Sequence, residues 1–154
     1  MDTRRDKGSL RRPWFLVLVA LTAISTVAMA EGPECNLSIR DAGGALVARI
    51  GADGEVRDQG GALMGRVSTS GEVRDAGGAL KGRIQDDGDV RDRSGALVGR
   101  VTSNGEVRNR SGALLYRVDD DGSIRRATGA LDARMQSFSP ACLRMAAAWL
   151  FFFR

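Results

Sequence analysis

The sequence predicts an all-β repeat protein, on three observations: a strict 17-residue period through residues 37–138, apolar residues that alternate within each copy, and glycine at fixed places between the alternating runs. GEVRDQGGALMGRV (54–67), GEVRDAGGALKGRI (71–84) and GDVRDRSGALVGRV (88–101) are three of six copies. Ile39, Val56, Val73, Val90, Val107 and Ile124 form one apolar column; Leu46, Leu63, Leu80, Leu97, Leu114 and Leu131 form a second. Ile50, Val67, Ile84, Val101, Val118 and Met135 form a third, with no insertion or deletion anywhere. Such regularity means small units, stacked or radially arranged, none of which can bury its apolar face alone. With 20 glycines against 3 prolines the chain is too glycine-rich for a helical bundle, and it lacks the triplet period of collagen. Its 154 residues allow one modest domain.

Residues 1–30 have the layout of a secretory signal. Arg4, Arg5, Lys7, Arg11 and Arg12 form a positive n-region, Trp14 to Ala23 an apolar h-region, and Ala28-Met29-Ala30 a small-x-small cleavage site. Cleavage after Ala30 is expected, with the mature chain starting at Glu31. The competing reading is an uncleaved anchor, since Pro13 to Ala30 borders on spanning length, but Thr22, Ser25 and Thr26 dilute that run. Arg11-Arg12 resembles a twin-arginine signal, which Pro13 and Trp14 fit poorly, so the general secretion route is expected. A lipid anchor on Cys35 is not expected after Gly32-Pro33-Glu34.

Export changes the charge argument. Of 23 basic and 19 acidic residues, five and two lie in residues 1–30, which leaves 18 and 17 in the rest. A net charge of +1 gives no ground for nucleic-acid binding.

In residues 31–138 strands fit the period. Leu63, Gly65 and Val67 alternate with Met64 and Arg66, and Val56 sits between Glu55 and Arg57, so the valine and leucine columns are both expected to face the core. Asp53-Gly54, Ser70-Gly71, Asp87-Gly88, Asn104-Gly105 and Asp121-Gly122 end one kind of turn. The other, as in Asp58-Gln59-Gly60-Gly61, ends in glycine in all six copies, which points to positive φ or close backbone approach. If Thr69-Ser70-Gly71 is a three-residue loop, Val67 faces Val73 and Leu63 faces Gly77. A two-residue turn would set Val67 against Arg74. The three-residue register opposes Arg66 and Arg74, at up to about 1 kcal/mol. Burying each Val or Leu contributes roughly 1.5–3 kcal/mol, so burial sets the register. Five tight hairpins result, with a strand left over at each end, residues 37–40 and 130–135.

The repeated x-G-x-V-R-D-x-x-G-x-x-x-G-R-V sentence, behind a signal and ahead of an aromatic tail, resembles the bacterial five-fold beta-flower family. That resemblance covers residues 37–154 and implies a small exported protein with radially arranged hairpins, of a family whose biochemical function is not established. Six copies of Gly-Ala-Leu depart from five-fold symmetry and leave open whether the outer strands pair or form a sixth petal. The alternative architecture is a β-solenoid of about one coil per repeat; four-stranded propeller blades would need some forty residues each.

Residues 139–154 break the pattern. Pro140 precedes an alanine-rich run, and Ala146 to Leu150 favour a short C-terminal helix that ends in Trp149, Phe151, Phe152 and Phe153. The segment is too short to span a membrane. The rings either plug the apolar centre left by small core residues, or insert into a membrane surface or a partner groove. Cys35 precedes the first repeat and Cys142 follows the last. In a radial fold, where chain ends meet, they can join in an oxidising compartment; in an open solenoid they sit too far apart and stay free or separately buried.

Catalysis has little to work with: the chain has no histidine, phosphate loop or zinc spacing, so neither an enzyme nor a cofactor is expected. Asp119-Asp120-Asp121 and Asp86-Asp87 suit calcium, but the loops at Thr69-Ser70-Gly71 and Ser103-Asn104-Gly105 lack those carboxylates, which argues against a repeat-wide metal. The arginine columns, Arg57, Arg66, Arg74, Arg83, Arg91 and Arg100 among them, are candidate contacts for anionic sugars, lipid head groups or polyphosphate. The competing reading is local neutralisation by Asp58, Asp75, Asp92 and the glutamates. The expected protein is a monomeric, exported structural or binding module of the cell envelope or extracellular space, with an envelope glycan, anionic lipid or protein as partner. The alternative is a periplasmic protein held to a membrane by its aromatic tail.

Overall fold

The computed structural model describes residues 35–154; the signal segment and the cleavage point after Ala30 lie outside the described residues. Each copy supplies two short strands. In chain order they are β1 (Leu37–Asp41), β2 (Leu46–Ile50), β3 (Glu55–Asp58), β4 (Leu63–Val67), β5 (Glu72–Asp75) and β6 (Leu80–Ile84). β7 (Asp89–Asp92), β8 (Leu97–Val101), β9 (Glu106–Asn109), β10 (Leu114–Val118), β11 (Ser123–Arg126) and β12 (Leu131–Gln136) follow. Every strand pairs antiparallel with its chain neighbours, and β1 pairs with β12, so the sheet closes into a barrel. Closure rules out the solenoid alternative. The two outer strands join each other, Ile39 opposite Met135 and Arg40 opposite Arg134.

The parity argument holds at the tight turns. Val67 lies opposite Val73 and Arg66 opposite Arg74, and the Ser68 amide donates to the Glu72 carbonyl at 2.8 Å across the three-residue loop. Gly71 has φ +84°, and a Cβ there would run into the backbone carbonyl of Ile84. The Ile84 amide in turn donates to the Gly71 carbonyl at 2.8 Å, so each tight turn is fastened to the next repeat. The other loops are held by a side chain: Asp75 Oδ1 accepts from the Ala79 amide at 2.9 Å. Asp41, Asp58, Asp92 and Asn109 do the same in their own copies.

The leucine column departs from expectation. The β4–β5 ladder ends at Gly65 opposite Asp75, so Leu63 does not reach Gly77. Leu63 lies instead opposite Arg57, because Val56 pairs with Gly65 and the register then slips by one residue. Met64 is the extra residue of a β-bulge, and a bulge reverses parity beyond it. The same slip occurs in the other five copies. Leucine therefore lands on the arginine face, where Leu63 is 37% exposed, whereas Val56, Val67 and Val73 are at most 1% exposed.

Twelve strands make a ring wider than valine can fill, since side chains alone suffice only at about eight strands. The C-terminus fills it. After a 3-10 turn (Pro140–Cys142) the helix α1 (Leu143–Phe152) occupies the lumen, with Ala146, Ala147 and Ala148 at 0% exposure. Three consecutive buried alanines mean burial on every side of the helix. A slim helix is what fits between opposing walls of Val and Ile. Cys35 and Cys142 form a disulfide, Cα atoms 5.5 Å apart, which ties the start of β1 to the foot of α1.

Candidate functional site

Two regions of the barrel bring polar chemistry together: the mouth where the tail ends, and a belt around the outside. At the mouth, the wall presents glycine where the rings arrive. A Cβ on Gly65 would lie 2.6 Å from Phe153, one on Gly82 2.5 Å from Phe152, and one on Gly99 2.5 Å from Phe151. Trp149 is buried, and Phe151, Phe152 and Phe153 are half-buried against the core. All four aromatic residues singled out in the sequence thus sit in the barrel as a plug.

The mouth is closed by charge. Lys81, the bulge residue of β6, donates from Nζ to the Phe152 carbonyl at 2.5 Å and stands 4.8 Å from the Phe153 ring centre. A cation at the carbonyl end of a helix is favourable to the helix dipole. Arg154 lies 5.0 Å from the Tyr116 ring and 5.5 Å from Trp149, and pairs with Asp132. Asp132 also accepts from Arg126 Nε at 2.6 Å. Burial pushes the Asp132 carboxyl up, but the guanidinium groups of Arg154 and Arg126 outweigh it and hold the carboxyl below its ordinary value. A cavity of about 210 Å³ remains beside this pair, lined by Met64, Asp132, Trp149, Phe153 and Arg154 among others. At the opposite end Arg144 pairs with Asp86 at 2.5 Å and donates to the Thr69 carbonyl at 3.2 Å, which seats the foot of α1 on the turns. The clustered carboxylates are used locally: Asp119 pairs with Arg125 and Asp121 accepts from the Ser123 amide at 2.8 Å.

The belt is built from the two arginine columns. Ladder pairing opposes them as Arg49 and Arg57, Arg66 and Arg74, Arg83 and Arg91, Arg100 and Arg108, Arg117 and Arg125, and Arg134 and Arg40. In four copies one carboxylate bridges two of them. Glu55 meets Arg57 and Arg66, both at 2.6 Å; Glu72 meets Arg74 at 3.1 Å and Arg83 at 2.5 Å. Asp89 takes Arg91 and Arg100, and Glu106 takes Arg108 and Arg117. Hydrogen bonds from these arginines hold Glu55, Glu72 and Glu106 below the ordinary glutamate value. The first-column arginines also close their own loops, as when Arg57 donates to the Gly61 carbonyl at 2.9 Å.

The six arginines singled out in the sequence, Arg57, Arg66, Arg74, Arg83, Arg91 and Arg100, are thus all engaged by a glutamate or an aspartate already. The aspartates Asp58, Asp75 and Asp92 spend their oxygens on loop amides instead. The position that matters is the one before the conserved-in-repeat valine or isoleucine, and it reads Ser38, Glu55, Glu72, Asp89, Glu106, Ser123. That column was open to inspection in the sequence.

A closed ring of twin-strand repeats around a terminal helix is what the family comparison can be set against. Residues 36–154 match the model of the 5-fold beta-flower protein family. The chain belongs to that family. No curated protein and no solved structure matches it. This beta-flower closes from six copies: five tight turns, at 51–54, 68–71, 85–88, 102–105 and 119–122, and a sixth junction where β12 meets β1.

Proposed function

We propose that this beta-flower protein is an exported structural or binding module of the cell envelope or extracellular space, non-catalytic, working as a monomer through its outer face. The observation that carries the reading is the Cys35–Cys142 disulfide, which joins the two ends of the ring and belongs to an oxidising compartment. The secretory layout of residues 1–30 agrees with it. The lumen is taken by α1, so the outer belt and the two rims are the surfaces left to a partner. A membrane-anchoring tail would have to withdraw Trp149 from a site where it is 2% exposed, and would leave the wide ring unfilled.

Expression of residues 1–154 in a bacterium with both compartments sampled tests this. The expected product is soluble, outside the cytoplasm, begins at Glu31 and contains no free thiol. A protein retained in the cytoplasm with reduced cysteines overturns the reading. Deleting residues 145–154 separates plug from anchor: loss of folding fits the plug, and a folded protein released from membranes fits the anchor.

A further inference from the structure

The belt is interrupted at one place, where the ends of the chain meet. In the first and last copies the bridging carboxylate is replaced by Ser38 and Ser123. Arg40 and Arg134 lie directly opposite each other on β1 and β12. Among the described residues this is the one opposed arginine pair in which neither member meets a carboxylate. Arg49, on the next strand, lies opposite Ser38, where its counterpart Arg66 finds Glu55. Arg49 and Arg134 are exposed and Arg40 half-buried.

The neighbouring acids make their hydrogen bonds and ion pairs elsewhere, although Asp121 feels the charge of Arg134 from beyond salt-bridge distance. Asp41 Oδ1 accepts from the Ala45 amide, Asp119 pairs with Arg125, and Asp121 accepts from the amide and hydroxyl of Ser123. Gln136, opposite Ser38, uses its oxygen to accept from Arg40 and leaves its amide hydrogens free to donate. Three adjacent strands therefore present three guanidinium groups, a serine hydroxyl and an amide, and among the described residues no carboxylate is in salt-bridge contact with the three arginines.

We propose that Arg40, Arg49 and Arg134, with Ser38 and Gln136, form a binding site for a phosphate group. The inference rests on the binding half of the function proposed above. In the regular copies a singly charged carboxylate satisfies two arginines. Here three arginines lie on adjacent strands, and a doubly charged oxyanion with several acceptor atoms offsets most of their charge and can take bidentate donors. The site is the same whether the phosphate is carried by a lipid head group or by a soluble chain.

Calorimetric titration of the purified, oxidised protein with inorganic pyrophosphate tests the chemistry. Saturable one-to-one binding that weakens with added salt is expected. Ser38→Glu installs the carboxylate that the regular copies hold at this position, so it preserves the local structure and is expected to weaken binding by at least about tenfold. Arg40→Gln with Arg134→Gln is expected to do the same, while Arg74→Gln, in a bridged copy, changes affinity less than about twofold. Cosedimentation with phosphatidylcholine vesicles that contain phosphatidate assigns the source: sedimentation that Ser38→Glu abolishes means a lipid phosphate, and pyrophosphate binding alone means a soluble one. Absence of binding to both probes, or equal binding by Ser38→Glu with an unchanged melting temperature, overturns the proposal. Export is read from the N-terminus and the compartment, so either reading can fail without the other.

Discussion

Copies two to five and the two copies at the chain ends share one backbone and put it to different uses. In copies two to five the outer face is neutralised carboxylate by carboxylate, from Glu55 to Glu106, and three of their four inner positions are glycines that receive phenyl rings. In the end copies the corresponding inner positions are the buried Ala48 and Ala133, and the outer carboxylates are serines. The end copies instead hold the disulfide, the Asp132–Arg154 pair and the pairing of β1 with β12. Backbone symmetry is set by turns and bulges, which every copy needs. Side chains are free to differ wherever closure, plugging or recognition asks for it.

The sharpest way to break this comparison is to remove what both sectors surround. Deleting residues 143–154 strips Trp149, Leu150 and three buried alanines from the lumen, and the cooperative thermal transition followed by circular dichroism is expected to disappear. Next in size, Cys35→Ser with Cys142→Ser opens the ring only at its ends. With the cysteines 107 positions apart in the chain, the entropic model gives a loss of about 4–5 kcal/mol, read from the urea midpoint with and without the bond.

Asp132→Asn tests the charged mouth of the closing sector. It leaves Arg126 and Arg154 facing a neutral amide, and a loss on the order of 3 kcal/mol is expected. Its pH dependence has a definite sign. The folded carboxyl is lowered from 3.8, so its stabilisation is complete above that value and is lost as pH falls through the lowered one. The difference in melting temperature between the native protein and Asp132→Asn should therefore be constant from pH 5 to 8 and shrink at more acid pH. Gly82→Ala probes the regular sector: its Cβ meets Phe152 and the wall, for a cost of about 1–3 kcal/mol, against a smaller change for Ala133→Gly in the closing sector. Smallest is Glu55→Gln, which frees two exposed arginines and should shift stability by less than about 1 kcal/mol while raising the salt sensitivity of the belt.

The repeat, the Val67–Val73 register and the short C-terminal helix were legible, because each follows from spacing or turn residues, whereas the pairing of Cys35 with Cys142 stayed one of two outcomes until closure of the ring decided it. The bulge was not. Counting by twos assumes an unbroken strand, and nothing in Leu-Met-Gly-Arg-Val marks Met64 as the residue that falls between two ladder pairs. Leucine, which that count puts inside, lies outside with arginine. The arginines also misled, since Arg66 and Arg134 look alike in sequence. What separates them is the residue across the ladder, Glu55 in one case and Ser123 in the other. Register was needed before the serines could be read as missing partners.

Pairing of the first strand with the last has a consequence for how such a molecule is made. A nascent chain with any smaller number of copies has two unpaired strand edges, each a template for adhesion to another chain. Only when the final copy is complete can both edges be removed at once, and the residues that lock that event, Cys142 and the helix beyond it, follow that copy in the chain. Ladder pairing between neighbouring copies can begin as they emerge, while protection of both edges waits for the last copy and a filled lumen for the segment that follows it.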